Sequence, residues 1–157
     1  MLRATTILKM FSLLVFFHTA LSFASGVAWG NEPVVGYVSQ LTGTATIKRG
    51  FETLTVNEGT PLKKEDTLNT GPDGSMGIVF KDETTISLGP GSKLIIQEYV
   101  FDPDHSNFSL VVRLLKGTAA YVSGLISKLS PDATRFITPS ASIGIRGTKF
   151  VVEIDTL

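Results

Sequence analysis

Cysteine is missing from all 157 residues of the chain, and other chemically able side chains are scarce. Without thiols there is no disulfide scaffold, no thiolate metal site and no cysteine nucleophile. Histidine, the usual general base near neutral pH, occurs only as His18 and His105. The single tryptophan is Trp29. Neither sign of charge is in excess, with 14 Lys and Arg against 14 Asp and Glu. Binding DNA or RNA calls for a basic surplus or a basic stripe interleaved with aromatics, and this chain has neither. No nucleic-acid partner is expected. With 43% hydrophobic and 18% charged residues, the composition is that of a globular protein and not of a disordered one.

The N-terminus stands apart from the rest of the chain. Arg3 and Lys9 form a short positive leader, and Glu32 is the first acidic residue. An apolar run from Met10 to Phe17 is interrupted by His18 and Thr19, resumes at Ala20–Ala24, and decays into Ser25, Gly26 and Ala28. This order predicts a secretory signal over residues 1–30, cleaved after Ala28 or Gly30. The alternative is a retained anchor, since the 22 uncharged residues between Lys9 and Glu32 are long enough to span a bilayer. Contact with a membrane is expected only in that case. The remainder, residues 31–157, is expected as one exported domain in the periplasm or outside the cell, or facing the periplasm from an inner-membrane anchor. Export without cysteine fits a bacterial envelope.

From Val34 onward, short stretches with an apolar residue at every second position are separated by Gly, Pro, Asp and Asn. That period marks strands with one buried face. Met76, Ile78 and Phe80 form the clearest stripe. Lys81–Thr84 then supplies a turn, and Ile86 and Leu88 return as the second arm of a hairpin. Further strands are predicted at 34–39, 45–48, 54–56, 93–101, 109–115, 118–122, 136–138, 141–145 and 149–154. The fold class is all-β, with about ten short strands in a sandwich or β-helix-like arrangement. One short helical turn is allowed within Tyr121–Leu129, where Gly124 and the lack of a cap weigh against anything longer. Gly-Thr pairs recur at Gly43, Gly59, Gly117 and Gly147, each reading as a bend followed by a β-branched residue that opens a strand.

Reactive constellations are hard to find. His105 lies in the polar loop Asp102–Asn107, whose acids imitate a calcium loop until Asn107 and Arg113 occupy the places of the required Gly and Glu. There is no Gly-x-Ser-x-Gly to accompany His105 in a triad. Gly71–Gly77 is glycine-rich but lacks the Lys-Ser/Thr ending of a phosphate loop, and reads as a turn. The pairs Glu65-Asp66 and Asp82-Glu83 read as solvated turn residues. Lys48-Arg49 and Lys63-Lys64 read as solubilising surface. No catalytic, cofactor or metal residue is assigned, and the chain is not expected to be an enzyme.

Two segments are distinctive. The first runs through Glu58-Gly59-Thr60-Pro61-Leu62, Asp66-Thr67-Leu68-Asn69-Thr70-Gly71 and the strand ending at Phe80. The second is Thr138-Pro139-Ser140-Ala141-Ser142-Ile143-Gly144-Ile145-Arg146-Gly147-Thr148-Lys149-Phe150. Together they resemble the FecR-like domain, named for the periplasmic regulator of ferric citrate uptake. That family shows a Gly-Asp-x-Ile/Leu-x-Thr turn and strand, a Phe-x-Asp-Gly-Thr stretch, and a closing Thr-Pro…Arg-Gly-Thr-x-Phe. Here Glu65 and Glu83 stand where the family has glycine, and both are expected to alter turn geometry. Regulators of the family carry a cytoplasmic anti-sigma region before a membrane helix, whereas nine residues precede the apolar run here. The resemblance therefore implies the short exported form.

The resemblance implies a set of motif residues: Asp66, Thr70, Phe80, Thr138, Pro139, Arg146, Gly147, Thr148 and Phe150. Most of them have a structural reading. Pro139 restricts Thr138 to extended geometry, Ile143 and Ile145 alternate inward, and Phe150, Val152 and Ile154 alternate as a closing buried strand. Arg146 stays open between a structural role, bonding turn carbonyls or a carboxylate, and a contact with a partner's carboxylate or a ligand's phosphate. The expected function is a non-catalytic interaction or sensing domain whose partner is another envelope protein. A self-assembling structural protein and a small-molecule or glycan-binding module are the alternatives.

Overall fold

Period-2 alternation settles the architecture, because each apolar stripe must find cover and every stripe finds the same core. In the computed structural model, which describes residues 32–154, twelve strands form one continuous curled sheet. The expected signal segment over residues 1–30 lies outside the described residues. The first strands are β1 (Val34–Thr42), β2 (Ala45–Arg49), β3 (Glu52–Thr55), β4 (Pro61–Lys63), β5 (Thr67–Thr70) and β6 (Ser75–Phe80). They are followed by β7 (Thr85–Leu88), β8 (Lys93–Asp102) and β9 (Asn107–Val122). One helical turn, α1 (Ile126–Leu129), then leads to β10 (Thr134–Ile137), β11 (Ser142–Gly144) and β12 (Lys149–Ile154).

Strand β9 joins the two halves of the sheet. Its first part pairs with β8 and, in parallel, with β10; its last part, from Gly117 to Val122, lies between β7 and β12. One half therefore runs β4-β1-β6-β7-β9-β12 and the other β3-β2-β5-β8-β9-β10-β11. Every pairing except β9 with β10 is antiparallel, and the expected all-β fold takes the form of this one curled sheet. The expected hairpin is present in the expected phase: Met76 faces Leu88 and Ile78 faces Ile86, all four buried.

The core is one cluster drawn from both halves, including Ile47, Leu68, Ile78, Leu94, Val112 and Phe136. Beneath β12, Phe150 stacks on Tyr121 at 5.1 Å and meets Phe136 edge-on at 5.4 Å. Such a pair adds about 1 kcal/mol beyond burial alone. The closing strand is half-buried: Phe150, Val152 and Ile154 face inward, while Lys149, Val151 and Glu153 face solvent.

Three details differ from the sequence reading. The strands expected at 109–115 and 118–122 are one 16-residue strand. Gly117 bends it without ending it, since its φ of +82° is open to glycine at little cost and a Cβ there would overlap Ser92. The alternation does not reveal β4, and β5 is visible only through the family resemblance, because three or four residues do not establish a period. The helical turn lies where one was allowed, but Tyr121 belongs to β9 and not to the helix.

Candidate functional site

The acidic pairs at the strand turns were expected in solvent. In each pair one member is instead fully buried and the other exposed: Asp66 and Asp82 have no accessible surface. The turn between β4 and β5 folds the Asp66 carboxylate inward, where the Lys63 N–H donates to it at 2.8 Å. Arg49 completes its shell, with Nε and a terminal nitrogen each donating at 2.8 Å, one to each carboxylate oxygen. The second terminal bond of Arg49 goes to the Pro61 carbonyl at 2.9 Å. Hydrogen bonding to Asp66 raises the Arg49 pKa further above its ordinary value, so the guanidinium keeps its charge. Arg49 is thus no solubilising residue, unlike its exposed neighbour Lys48. It shares the parity of Ala45 and Ile47 on β2, and the inward face is the signal that marks it. Removing it would leave a buried charge unpaired, at a cost of about 3 kcal/mol.

Asp82 is buried, and among the described residues it has no ion-pair partner. Its oxygens accept from the Thr84 hydroxyl at 2.7 Å and the Ile126 N–H at 3.3 Å, with the Tyr99 hydroxyl at 3.4 Å. The Asp82 carbonyl accepts from Leu125 N–H at 2.7 Å, and the Thr84 hydroxyl accepts from Gly124 N–H at 3.1 Å. The β6–β7 turn therefore grips the segment that leads out of β9 into α1. Close approach is possible because residue 124 is glycine: a Cβ there would overlap the Asp82 carbonyl and the Thr84 nitrogen. Tyr99 donates and accepts here, its hydroxyl also receiving the Asp82 N–H at 2.9 Å, and its ring stacks on Phe80 at 5.3 Å. Burial first, and then the Asp82 charge, hold the Tyr99 hydroxyl well above the ordinary tyrosine range. Tyr121 is pushed up to about 12, chiefly by burial. Its oxygen lies beside Thr84, but that hydroxyl is committed to Asp82 and Gly124, and among the described residues the phenol has no hydrogen-bond partner.

The sequence-derived motif residues divide between frame and surface. Asp66 and Phe80 belong to the braces just described. Thr70 closes β5 onto the loop before β8: its hydroxyl donates to Gly89 O at 2.7 Å and accepts from Ser92 N–H at 2.8 Å. Thr138, buried, turns the chain by pairing with Ala141, whose N–H reaches its hydroxyl at 3.0 Å. Pro139 is exposed at that turn. Phe150 sits in the aromatic cluster. Arg146, Gly147 and Thr148 are exposed between β11 and β12. Arg146 donates to an Asp132 carboxylate oxygen at 3.0 Å, its one side-chain hydrogen bond among the described residues, and the two side chains are 75% and 89% accessible. The structure does not gather these residues into one pocket.

Sequence reasoning missed Arg49, Asp82, Thr84, Tyr99 and Gly124. Asp82 and Thr84 fall in the Phe-x-Asp-x-Thr stretch of the resemblance, which was a usable signal. Glu65 and Glu83 were expected to change their turns, yet each sits at φ +67°, the left-handed geometry that glycine favours. The turn shape is kept, and the side chain bears the strain.

His105 caps the β8–β9 turn, 81% accessible, with Nδ1 2.8 Å from an Asp102 carboxylate oxygen. An open depression of about 170 Å³ is lined by Thr44, Ala45, Thr46, Asn69, Thr70 and Gly71, with no aromatic ring for a sugar or base to stack on. Among the described residues no group of three or more His, Asp or Glu is placed to hold a metal ion. No helix among them is long and apolar enough to cross a membrane.

The model of the FecR protein family matches residues 66–156, from the buried aspartate to the closing strand. No curated protein and no solved structure matches the chain. With more than half its length matched, over the same turn, clamp and closing segment described above, the chain belongs to the FecR family.

Proposed function

We propose that this protein is a non-catalytic sensing or interaction domain, exported to the periplasm or cell surface, that contacts another envelope protein. The family consists of sensing and regulatory domains, is not known as enzymatic, and is commonly periplasmic. The observation that carries the reading is the division of the motif. Asp66, Thr70, Phe80, Thr138 and Phe150 are used up in bracing turns and filling the core, whereas Arg146-Gly147-Thr148 is held out in solvent. The surface pair of Arg146 with Asp132 is worth less than about 0.5 kcal/mol, so the guanidinium is available at little cost. Its planar fork suits a carboxylate on a partner.

Export is tested by fusing alkaline phosphatase, which is active only outside the cytoplasm, to the C-terminal end of the full chain. Activity in intact bacteria is the expected result, and an inactive but stable fusion would overturn the reading.

A further inference from the structure

Strand β12 hydrogen-bonds to β9 and, among the described residues, to no other strand. The Ser123 N–H donates to Thr148 O at 3.2 Å, which fixes the phase of this antiparallel ladder. Thr148 and Ser123 form a bonded pair, so Phe150, Val152 and Ile154 turn their backbone groups to β9. Lys149, Val151 and Glu153 turn theirs outward, to the free edge. Those same three side chains lie on the solvent face, with Val151 at 67% accessible. An open, apolar-centred edge of six residues is a template for another strand.

Its side chains specify which strand. Lys149 and Glu153 are placed symmetrically about Val151, and among the described residues neither has an ion-pair partner. We infer that the occupant of this edge is β12 of a second copy, paired antiparallel about a two-fold axis at Val151. In that register each Lys149 lies opposite the second copy's Glu153, and the two Val151 side chains meet at the axis. The three outward residues of each copy exchange both backbone hydrogen bonds with their opposites, because the free phase and the two-fold position coincide. Other edges lack this self-complementarity: β3 carries Glu52 and no cation, β11 has three residues, and β4 opens with Pro61, which has no N–H to give. The inference goes beyond the proposed function and does not depend on which envelope partner Arg146 meets.

The test is light scattering of the protein expressed from the full chain, across a range of concentrations, with charge reversals at both positions. Lys149→Glu alone sets Glu against Glu twice across the axis, as Glu153→Lys alone sets Lys against Lys. Each is expected to weaken the dimer about ten-fold. The double variant Lys149→Glu/Glu153→Lys restores opposite charges and is expected to restore the dimer. Val151→Cys places two thiols about 5.5 Å apart by Cα, within disulfide reach. In a chain with no other cysteine, diamide is expected to convert that variant to a covalent dimer. A monomer at every concentration, single reversals without effect, a double variant no better than the singles, or no covalent dimer would each overturn the assignment. Thermal unfolding of every variant shows whether the fold is intact, and these exposed positions are expected to leave it unchanged.

Discussion

The Asp82 carboxylate accepts the backbone N–H of Ile126 at 3.3 Å, joining two points 44 residues apart in the chain. The bond ties the β6–β7 hairpin to the exit of β9; the Gly124 N–H bond to Thr84 joins the same two segments, and Tyr99 braces Asp82 from β8. Asp82→Ala would leave the Ile126 and Thr84 donors without acceptors in a site closed to water. A loss of about 2–4 kcal/mol is expected in urea unfolding. A loss below about 0.5 kcal/mol would show that the clamp contributes nothing.

Two glycines offer a contrast. At Gly124 a Cβ would press on backbone atoms that cannot yield, so Gly124→Ala is expected to cost about 3 kcal/mol or more. At Gly50, with φ +58° and nothing within 4 Å, the same change meets only the left-handed penalty and is expected to cost about 1 kcal/mol. Equal costs in denaturant unfolding would contradict the close approach.

Glu65 and Glu83 offer gains. Both lie exposed at φ +67°, where an L side chain is strained and glycine is not. Glu65→Gly and Glu83→Gly are each expected to stabilise the protein by about 0.5–1 kcal/mol, with additive effects since the turns are separate. A lowered melting temperature in either variant would contradict the strain argument.

The buried phenols set the alkaline limit. An unfolded tyrosine ionises near 10, whereas Tyr121 in the fold is pushed up to about 12 by burial. The folded protein therefore keeps this proton where the unfolded chain has lost it. The contribution is complete below about pH 10 and is lost as pH rises toward 12, at most roughly 3 kcal/mol in all, and Tyr99 acts in the same direction. Tyr121→Phe removes an unpartnered hydroxyl. It is expected to be neutral or stabilising at pH 7 and to flatten the decline of stability between about pH 10 and 12. An unchanged slope would contradict it.

Much of the fold was legible because it rests on alternation. The hairpin from Ser75 to Leu88 and the inward faces of β8 and β9 follow from period 2 alone. What escaped was long-range. Asp66 and Asp82 look like ordinary turn acids, since nothing beside them in sequence tells of Arg49, 17 residues away, or of Ile126. A lone polar residue on an inward parity, as Arg49 is, was the one local clue. Gly117 reads as a strand end in the sequence because a bend and a break share the same residue.

The central proposal is that Arg146, held out with Gly147 and Thr148, meets a partner while Asp66, Thr70, Phe80, Thr138 and Phe150 hold the fold. The most direct measurement places a photo-reactive amino acid at position 148, beside an intact Arg146, in the full chain in living bacteria, with a control at the exposed Lys64. Illumination is expected to give a covalent adduct with a second envelope protein from position 148 and not from position 64, and Arg146→Glu is expected to abolish it. No adduct from position 148, or hydrolytic activity in the purified protein that vanishes in His105→Ala, would contradict the account.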